Sequence, residues 1–375
     1  MNIIYFDHAA TTRVKEEVLR EMIPYFNMQY GNASSIYSIA RQSKRAIEDA
    51  RQKVANVINS KAKEIYFTSC GTESDNLALK GIAYANMKKG KHIITSKIEH
   101  PAILESCKTL EKQGFSVTYL NVNKEGLISL EELEKSIRQD TILISVMFAN
   151  NEIGTIEPIK QIGEIAKKHH IIFHTDCVQA IGNVKIDVNE MNIDLLSMSA
   201  HKFYGPKGVG VLYVREGIEF DRIQDGGHQE KNKRSGTENV AGIVGLGKAI
   251  EIADKNLDEH IKKLTDLRNY YFSKLKEKIS NCQINGSIEK RLPGNANVSF
   301  QNVNGEELLL KLDEKGICAS TGSACSSGSS NPSHVLVAIG LDKEFANGAL
   351  RITLGDDNTK EDIDFLVEQL IKIMQ

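Results

Sequence analysis

The sequence predicts an α/β fold whose larger part is a mainly parallel β-sheet, followed by a smaller α+β unit. From Glu64 onward, short β-rich runs alternate with helical stretches, as strands and helices do in a parallel sheet. Five of the apolar runs end in a cluster of polar residues, which is typical of strands that lead into a site at the carboxyl edge of a sheet. After Gly294 the pattern changes to strand, helix, loop, helix, strand and helix, which indicates the α+β unit.

The remaining segments are mostly helical by pattern. Residues 1–13 fit a short strand and a turn, and helical patterns follow near Lys15–Gln29 and Ser38–Ile58. A long helical stretch from about Asn239 to Lys276 is expected to connect the large domain to the rest of the chain.

The five polar clusters contain residue types that can bind and activate a small ligand. They are Ser69–Ser74 after Ile65–Thr68, Glu99–Pro101 after His92–Ser96, Asn150–Glu152 after Thr141–Ala149, His174–Asp176 after Ile171–Phe173, and Ala200–Lys202 after Leu195–Ser199. Because parallel strands all end at the same edge of a sheet, we expect these clusters to converge on one cleft.

Composition and charge narrow the class of protein. The 375 residues carry a formal net charge of −2, so the totals show no basic surface for nucleic acid. No apolar stretch is long enough to span a bilayer and the first residues lack a signal-peptide pattern, so we expect a cytoplasmic protein without nucleic-acid or membrane partners. The six cysteines include no Cys-x-x-Cys pair, and we therefore expect no bound metal.

Lys202 and Asp176 are the strongest candidates for chemistry. A lysine held partly out of water at the edge of a sheet can form a Schiff base, although most lysines are solvated surface residues. Asp176 follows a buried run, where an unpaired carboxylate is costly. Its cationic partner could be a protonated pyridine nitrogen of a ligand or the side chain of a lysine or arginine.

Gly71 and His100 each have a functional and a structural explanation. Gly71 begins a helix directly after a strand, where free N–H groups suit a phosphate, but an ordinary helix cap explains the pattern as well. His100 fits a ring stacked on an aromatic ligand, and it equally fits a buried histidine of the core.

Two other motifs are better explained by structure. Gly242–Ala249 nearly matches the phosphate-binding pattern G-x-x-x-x-G-K-[ST], but Ala249 lacks the hydroxyl and no strand precedes the motif, so glycine-mediated helix packing is favoured over a nucleotide-binding module. His169–His170 lies at a predicted helix C-terminus, where histidine favours the helix dipole, so a metal site with His174 and Cys177 is not favoured.

Cys325 differs from the other cysteines because it lies in a stretch of serine and glycine with few apolar neighbours. An exposed thiol in such a loop is a candidate nucleophile, and an incidental exposed cysteine is the alternative.

In combination, these residues resemble the pyridoxal-phosphate cysteine desulfurases of the NifS/IscS kind. The motifs that carry the resemblance are Ser199-Ala200-His201-Lys202, His174-Thr175-Asp176-Cys177-Val178-Gln179, Asn151-Glu152-Ile153-Gly154, Arg234-Ser235-Gly236-Thr237 and Ser323-Ala324-Cys325. The similarity extends from Asp7–Thr12 to the last helix, and the distance from Cys325 to the Ser333 helix resembles the long-loop group of the family.

The resemblance implies the fold-type I architecture of pyridoxal-phosphate-dependent transferases, class V, as a homodimer. It implies a mainly parallel seven-stranded sheet in a large cofactor-binding domain over 14–260. It also implies a smaller α+β domain from 1–13 and 261–375 that carries the catalytic cysteine loop at 319–332.

The resemblance further implies roles for individual residues. The catalytic residues are Lys202, which binds the cofactor and moves the substrate's α-proton, Cys325 and His100, which stacks on the ring. The other cofactor contacts are Asp176 at the pyridine nitrogen, Gln179 at the phenolic oxygen, Asn151 near the ring, Gly71, Thr72, Ser199 and His201 at the phosphate, and Thr237 reaching in from the partner subunit. Asn32 and Arg351 hold the substrate carboxylate.

The implied activity converts L-cysteine to L-alanine through a cofactor adduct and a persulfide on Cys325. Sulfur then passes to an acceptor protein, either an iron–sulfur scaffold or a tRNA-thiolation enzyme, and Cys325 could also ligate an iron–sulfur cluster transiently. The sequence ends at Gln375 without the tail by which housekeeping members of the family dock their iron–sulfur scaffold. Sulfur delivery for tRNA thiolation is therefore an alternative to delivery to that scaffold. Another class-V enzyme, an aminotransferase or a selenocysteine lyase, explains Lys202 and Asp176 but leaves Cys325 without a role.

Overall fold

The chain forms an α/β fold around one large sheet, seen in a computed structural model that describes residues 3–321 and 332–374. The strands are β1 (Ile4–Tyr5), β2 (Ile65–Thr68), β3 (His92–Ser96), β4 (Ser116–Leu120), β5 (Thr141–Ser145), β6 (Ile172–Asp176), β7 (Leu195–Ser199), β8 (Gly210–Val214), β9 (Cys282–Ile284), β10 (Asn295–Phe300), β11 (Ile317–Cys318) and β12 (Ala349–Thr353). The large sheet has seven strands in the order β2-β8-β7-β6-β5-β3-β4, in which β8 runs antiparallel to its two neighbours and the other pairs are parallel. The predicted mainly parallel seven-stranded sheet is therefore confirmed.

Helices cover both faces of this sheet and surround a smaller one. They are α1 (Glu16–Met22), α2 (Pro24–Asn27), α3 (Ser38–Val57), α4 (Gly71–Asn86), α5 (Pro101–Lys112), α6 (Leu130–Lys135), α7 (Ile159–Lys168), α8 (Gln229–Asn232), α9 (Val240–Lys255), α10 (Leu257–Lys278), α11 (Gly305–Asp313), α12 (His334–Ala338), α13 (Lys343–Ala346) and α14 (Lys360–Met374). No helix among the described residues is both long and apolar enough to cross a lipid bilayer.

Two of the predicted helices are interrupted. The pattern near 15–29 forms α1 and α2 because Pro24, at the first position of α2, has no N–H to continue the hydrogen bonds of α1. The helical stretch expected from about Asn239 to Lys276 is present as two helices, α9 and α10. It is divided at Asn256, whose N–H bonds the carbonyls of Ile252 and Asp254 and ends α9 before α10 begins.

The glycines of Gly242–Ala249 lie inside α9 and allow it to pack closely, as the sequence favoured. A Cβ atom on Gly247 would lie 2.7 Å from the Cβ of Ala50 in α3, and one on Gly245 would lie 2.6 Å from the sulfur of Met22 in α1. Only glycine permits helices to approach to this distance.

The smaller sheet has the order β12-β10-β9 and packs against α10 and α14 around a separate apolar core that includes Phe6, Tyr271 and Phe300. The main apolar core lies on the large sheet. The division into 14–260 and 1–13 with 261–375 stays a prediction, since another core cluster joins Ile98 and Met147 to Val335 and Leu336.

The N-terminal segment connects the small sheet to the edge of the large one. Strand β1 pairs in parallel with β11, Asp7 forms a bridge with Thr353, and the N–H of Thr12 bonds the carbonyl of His201 at 2.9 Å. This segment therefore lies beside the residues that follow β7.

Candidate active site

The carboxyl ends of β2, β3, β5, β6 and β7 meet at one cavity of about 290 Å³. Its lining includes ten of the residues predicted to act on a cofactor or substrate: Gly71, Thr72, His100, Asn151, Asp176, Gln179, Ser199, His201, Lys202 and Arg351. Each of the five polar clusters contributes to this lining. The reversed strand β8 lies between β2 and β7 and is antiparallel to both, so β2 and β7 run in the same direction and end at the same edge of the sheet.

Lys202 lies one turn beyond β7, at the end of a short 3-10 segment, Ala200–Lys202. Its Nζ donates hydrogen bonds to the backbone carbonyls of Ala9 at 2.5 Å and Ala10 at 2.8 Å. Gln179 Nε2 donates to the same Ala9 carbonyl at 3.0 Å. The N-terminal segment thus holds both side chains at the cavity.

Asp176 and Asp75 are two buried carboxyls in the cavity wall. Asp176 ends β6, and its Oδ1 accepts a hydrogen bond from the Val178 N–H at 2.8 Å. Burial raises the pKa of Asp176, while His100, the Val178 N–H and Lys202 oppose that rise. Burial and then the charge of Asp176 raise the pKa of Asp75 well above its ordinary range. His100 and Lys202 thus favour the ionised form of Asp176, whereas the charge of Asp176 favours the protonated form of Asp75.

The first turn of α4 forms an open cradle. The side chain of Cys70, which precedes the helix, makes no capping hydrogen bond, so the N–H groups of the turn are available to an anion. A Cβ atom on Gly71 would lie 2.6 Å from Val178 Cγ2, so the backbone here is as close as glycine allows. Beside it, the buried hydroxyl of Ser199 has no hydrogen-bond partner among the described residues.

His100 and His201 are both neutral. His100 precedes α5, and its Nδ1 accepts a hydrogen bond from the Ala102 N–H at 3.1 Å, which fixes the ring and leaves the proton on Nε2. Burial lowers the pKa of His100, and it lowers that of His201 to about 4, with Lys202 adding to both effects. His201 Nδ1 lies 3.1 Å from the hydroxyl of Thr11.

Arg351 extends from β12 of the smaller sheet into the same cavity. Its Nη2 is 2.8 Å from Asp7 Oδ1, and its Nη1 donates to the Asn151 carbonyl at 3.4 Å. The neighbouring Glu152 accepts a hydrogen bond from the hydroxyl of Ser333. Burial raises the pKa of Glu152 to about 7, although the Ser333 hydrogen bond and the charge of Arg351 both act to lower it.

Three predicted residues are not part of this lining. Asn32 and Thr237 are exposed, and Asn32 Oδ1 instead accepts the Ser34 N–H at 2.9 Å. Cys325 lies outside the described residues.

Sequence reasoning missed other residues of the lining, notably Asp75, Glu152 and His334. Asp75 follows Gly71 by one helical turn, so the spacing alone could have placed it on the same face of α4. Glu152 stood inside a recognised motif. His334 comes from the far end of the chain, and its Nε2 bonds the Glu99 carbonyl at 3.1 Å, a pairing that no local pattern indicates.

The residues of the cavity fit pyridoxal phosphate. The open turn of α4 and the Ser199 hydroxyl suit a phosphate, the buried carboxylate of Asp176 suits a pyridinium N–H, and Lys202 Nζ suits an aldehyde. The fit rests on a buried hydroxyl left without a partner among the described residues and on a cradle that a Cβ atom would fill.

Known proteins of one family match nearly the whole chain. The model of the aminotransferase class-V family matches residues 4–366. A cysteine desulfurase IscS of Clostridium botulinum is 56% identical over 374 residues, which is 99% of this chain and 94% of that protein.

Two solved structures have the same fold. A protein titled NifS-like protein is 42% identical with a TM-score of 0.94 and covers 99% of each chain. The structure titled SspA in complex with cysteine is 40% identical with a TM-score of 0.81 and covers 93% of this chain and 98% of that one. The chain therefore belongs to the aminotransferase class-V family and, within it, to the NifS/IscS-like cysteine desulfurases.

Proposed function

We propose that this protein converts L-cysteine to L-alanine and transfers the sulfur to its own Cys325. The observation that carries the proposal is the single cavity in which Lys202, Asp176 and the open turn of α4 meet. Relatives named as cysteine desulfurases, and a related structure described as a complex with cysteine, support the choice of substrate.

The contacts at the cavity support a proposed role for each residue. When bound, pyridoxal phosphate supplies an electron sink that stabilises negative charge on the substrate Cα. Asp176 would hold the pyridine nitrogen protonated, because a buried carboxylate at the cavity wall favours a cationic partner. Lys202 Nζ would move the Cα proton, and the fixed ring of His100 would stack on the cofactor. Ser199, His201, Gly71 and Thr72 would bind the phosphate, with Asn151 and Gln179 beside the ring.

Arg351 is the proposed site for the substrate carboxylate. Its contacts with Asp7 and the Asn151 carbonyl orient the guanidinium at the cavity before any substrate binds. A planar guanidinium can hold a carboxylate through two parallel hydrogen bonds. The proposed contact of Asn32 with the substrate requires a rearrangement of its loop or a second subunit.

The sulfur-transfer step is assigned to Cys325 on the resemblance. The Cys325 thiolate attacks the sulfur of the bound substrate, an S–S bond forms and the Cβ–S bond breaks. The electron pair released to Cβ takes up a proton, which gives alanine and leaves a persulfide on Cys325. An iron–sulfur scaffold and a tRNA-thiolation enzyme are the two proposed sulfur acceptors, and the cytoplasmic location stays a prediction.

We propose a homodimer, supported by an exposed apolar segment at the N-terminus. Between residues 19 and 37, seven large apolar side chains are more than two-fifths exposed: Leu19, Ile23, Phe26, Met28, Tyr30, Ile36 and Tyr37. A concentration of this kind marks an interaction surface. It includes the neighbourhood of Asn32, and a second copy of the chain is the occupant that would also let Thr237 serve the other cavity.

Product analysis tests the proposed activity. The holoenzyme, incubated with L-cysteine and a thiol reductant, is expected to release alanine and sulfide in equal amounts. Formation of a keto acid that depends on an added amino acceptor would instead indicate an aminotransferase. Turnover of selenocysteine without turnover of cysteine would indicate a selenocysteine lyase.

A further inference from the structure

The first turn of α4, which is proposed to bind the cofactor phosphate, also carries the carboxylate of Glu73. Glu73 is the third residue of α4, and its Oε2 accepts the backbone N–H of Ser69 at 2.7 Å. This bond reaches back across the turn between β2 and α4, as a capping carboxylate does, and fixes the backbone around Gly71. The same position places the negative charge of Glu73 at the N-terminus of α4, where it would repel a bound phosphate.

Arg234 compensates that charge. Its Nε donates to Glu73 Oε1 at 2.7 Å and its Nη2 to Oε2 at 3.2 Å, so that the two planar groups form a fork. Both side chains are less than one-fifth exposed, so solvent screens the pair only in part. Burial raises the pKa of Glu73, but the hydrogen bonds from Arg234 and Ser69 outweigh that effect and lower it, so Glu73 is ionised at neutral pH.

The segment that carries Arg234 is held rigidly against the large sheet. Ser235 is buried and its hydroxyl donates to the Gly227 carbonyl at 2.8 Å, while the Gly236 N–H donates to the side chain of Gln229 at 3.0 Å. Just before it, Glu230 forms a two-pronged buried ion pair with Arg51 at 2.8 Å for each bond. Arg234 is thus fixed to meet Glu73 without support from the cofactor.

We infer that Arg234 is a positioning residue for cofactor binding, which neutralises Glu73 so that the first turn of α4 can accept a phosphate dianion. The inference rests on the proposed pyridoxal phosphate site. Glu73 keeps its structural bond to Ser69, and Arg234 removes the electrostatic cost of having a carboxylate there. Arg234 acts through Glu73 and not by contact with the cofactor.

Three variants are expected to show different affinities for pyridoxal phosphate. Arg234→Gln leaves Glu73 charged and uncompensated, so the dissociation constant for pyridoxal phosphate should rise at least about tenfold, a change of about 1.4 kcal/mol. Glu73→Gln keeps a hydrogen-bond acceptor for Ser69 and should change the constant less than about threefold, the effect of a single weak hydrogen bond. The double variant should bind more tightly than Arg234→Gln alone, because the charge that repels the phosphate is gone.

The experiment is equilibrium dialysis of the full-length apoenzymes with pyridoxal phosphate and, in parallel, with pyridoxal, which lacks the phosphate. The expected losses appear with pyridoxal phosphate and not with pyridoxal. Arg138→Gln is the matched control, since Arg138 forms a similar fork with Asp140 just before β5, at the opposite edge of the sheet. If Arg234→Gln does not fold, Arg234→Lys and the double variant replace it. Neither of these variants leaves an uncompensated carboxylate at Glu73. Both should bind pyridoxal phosphate with a dissociation constant within about tenfold of the wild-type value.

Two results would overturn the inference. Equal weakening in Arg234→Gln and in the double variant would mean that Arg234 contacts the cofactor directly, and unchanged binding in Arg234→Gln would mean that it has no part in binding. Failure of the wild-type apoenzyme to bind pyridoxal phosphate would refute the proposed function itself, which distinguishes the two failures.

Discussion

Replacement of Asp176 by asparagine tests the proposed pairing of this carboxylate with the cofactor. Asp176 is 6% exposed and is the proposed counter-ion of a pyridinium nitrogen, so the substitution would leave one charge of a buried pair without its partner. Removal of one partner from a buried ion pair costs about 3–5 kcal/mol. At about 1.4 kcal/mol for each factor of ten, the dissociation constant for pyridoxal phosphate should rise roughly 10²- to 4 × 10³-fold.

Asp75→Asn is the matched comparison, because both carboxyls line the same cavity and both are buried. Burial and the charge of Asp176 raise the pKa of Asp75 and so favour its protonated form, and a neutral amide resembles a protonated carboxyl that bonds Ser197. We therefore expect its dissociation constant to change less than about tenfold. The assay is titration of the apoenzymes with pyridoxal phosphate, followed by the absorbance of the bound cofactor, with thermal unfolding as a check on folding. A larger loss in Asp75→Asn than in Asp176→Asn would refute the assignment of charge.

Three further predictions concern the cavity and its surroundings. Lys202→Ala should remove the absorbance band of the lysine-bound cofactor and all turnover of cysteine, and measurable turnover would contradict the role given to Lys202. Gly71→Ala should destabilise the protein by about 1–3 kcal/mol, because its Cβ would lie 2.6 Å from Val178 Cγ2; thermal unfolding should show partial recovery in the double variant with Val178→Ala, and no recovery would exclude this clash as the cause. Burial raises the pKa of the Glu157 carboxyl from 4.5 to about 8, so between these pH values the folded state binds a proton that the unfolded state has lost. The free energy of unfolding should therefore fall, relative to that of Glu157→Gln, as the pH rises through this range. Denaturant unfolding of both proteins checks this, and the same pH dependence in both would contradict it.

Local signals in the sequence predicted that the five polar clusters would converge, and residues of all five line one cavity. Each of the five strands showed both an apolar run and the polar residues just beyond it, and a parallel sheet brings such clusters together whatever the helices between them do. Local patterns along the chain were therefore sufficient to place Lys202, Asp176 and His100 in one cavity.

The sequence did not indicate the contacts between distant segments. Asp7 with Arg351, and Glu73 with Arg234, join residues that are 344 and 161 positions apart, and no periodicity links them. The division of the predicted 239–276 helix was not indicated either, since Asn256 is neither glycine nor proline and its effect depends on its own backbone bonds. Asn32 and Thr237 lie outside the cavity of one chain, because the proposed role of Thr237 involves a second copy and that of Asn32 requires a loop rearrangement or a second copy.

The most direct test of the proposed sulfur transfer is peptide mass spectrometry of the wild-type holoenzyme after brief exposure to L-cysteine. One added sulfur atom is expected on the peptide that contains Cys325, together with released alanine, and no added sulfur is expected in Lys202→Ala. Cys325→Ser should still bind the cofactor but lose most of its sulfur release, since a hydroxyl is a far weaker nucleophile toward sulfur. Added sulfur on another cysteine such as Cys318, or near-normal turnover by Cys325→Ser, would contradict the account.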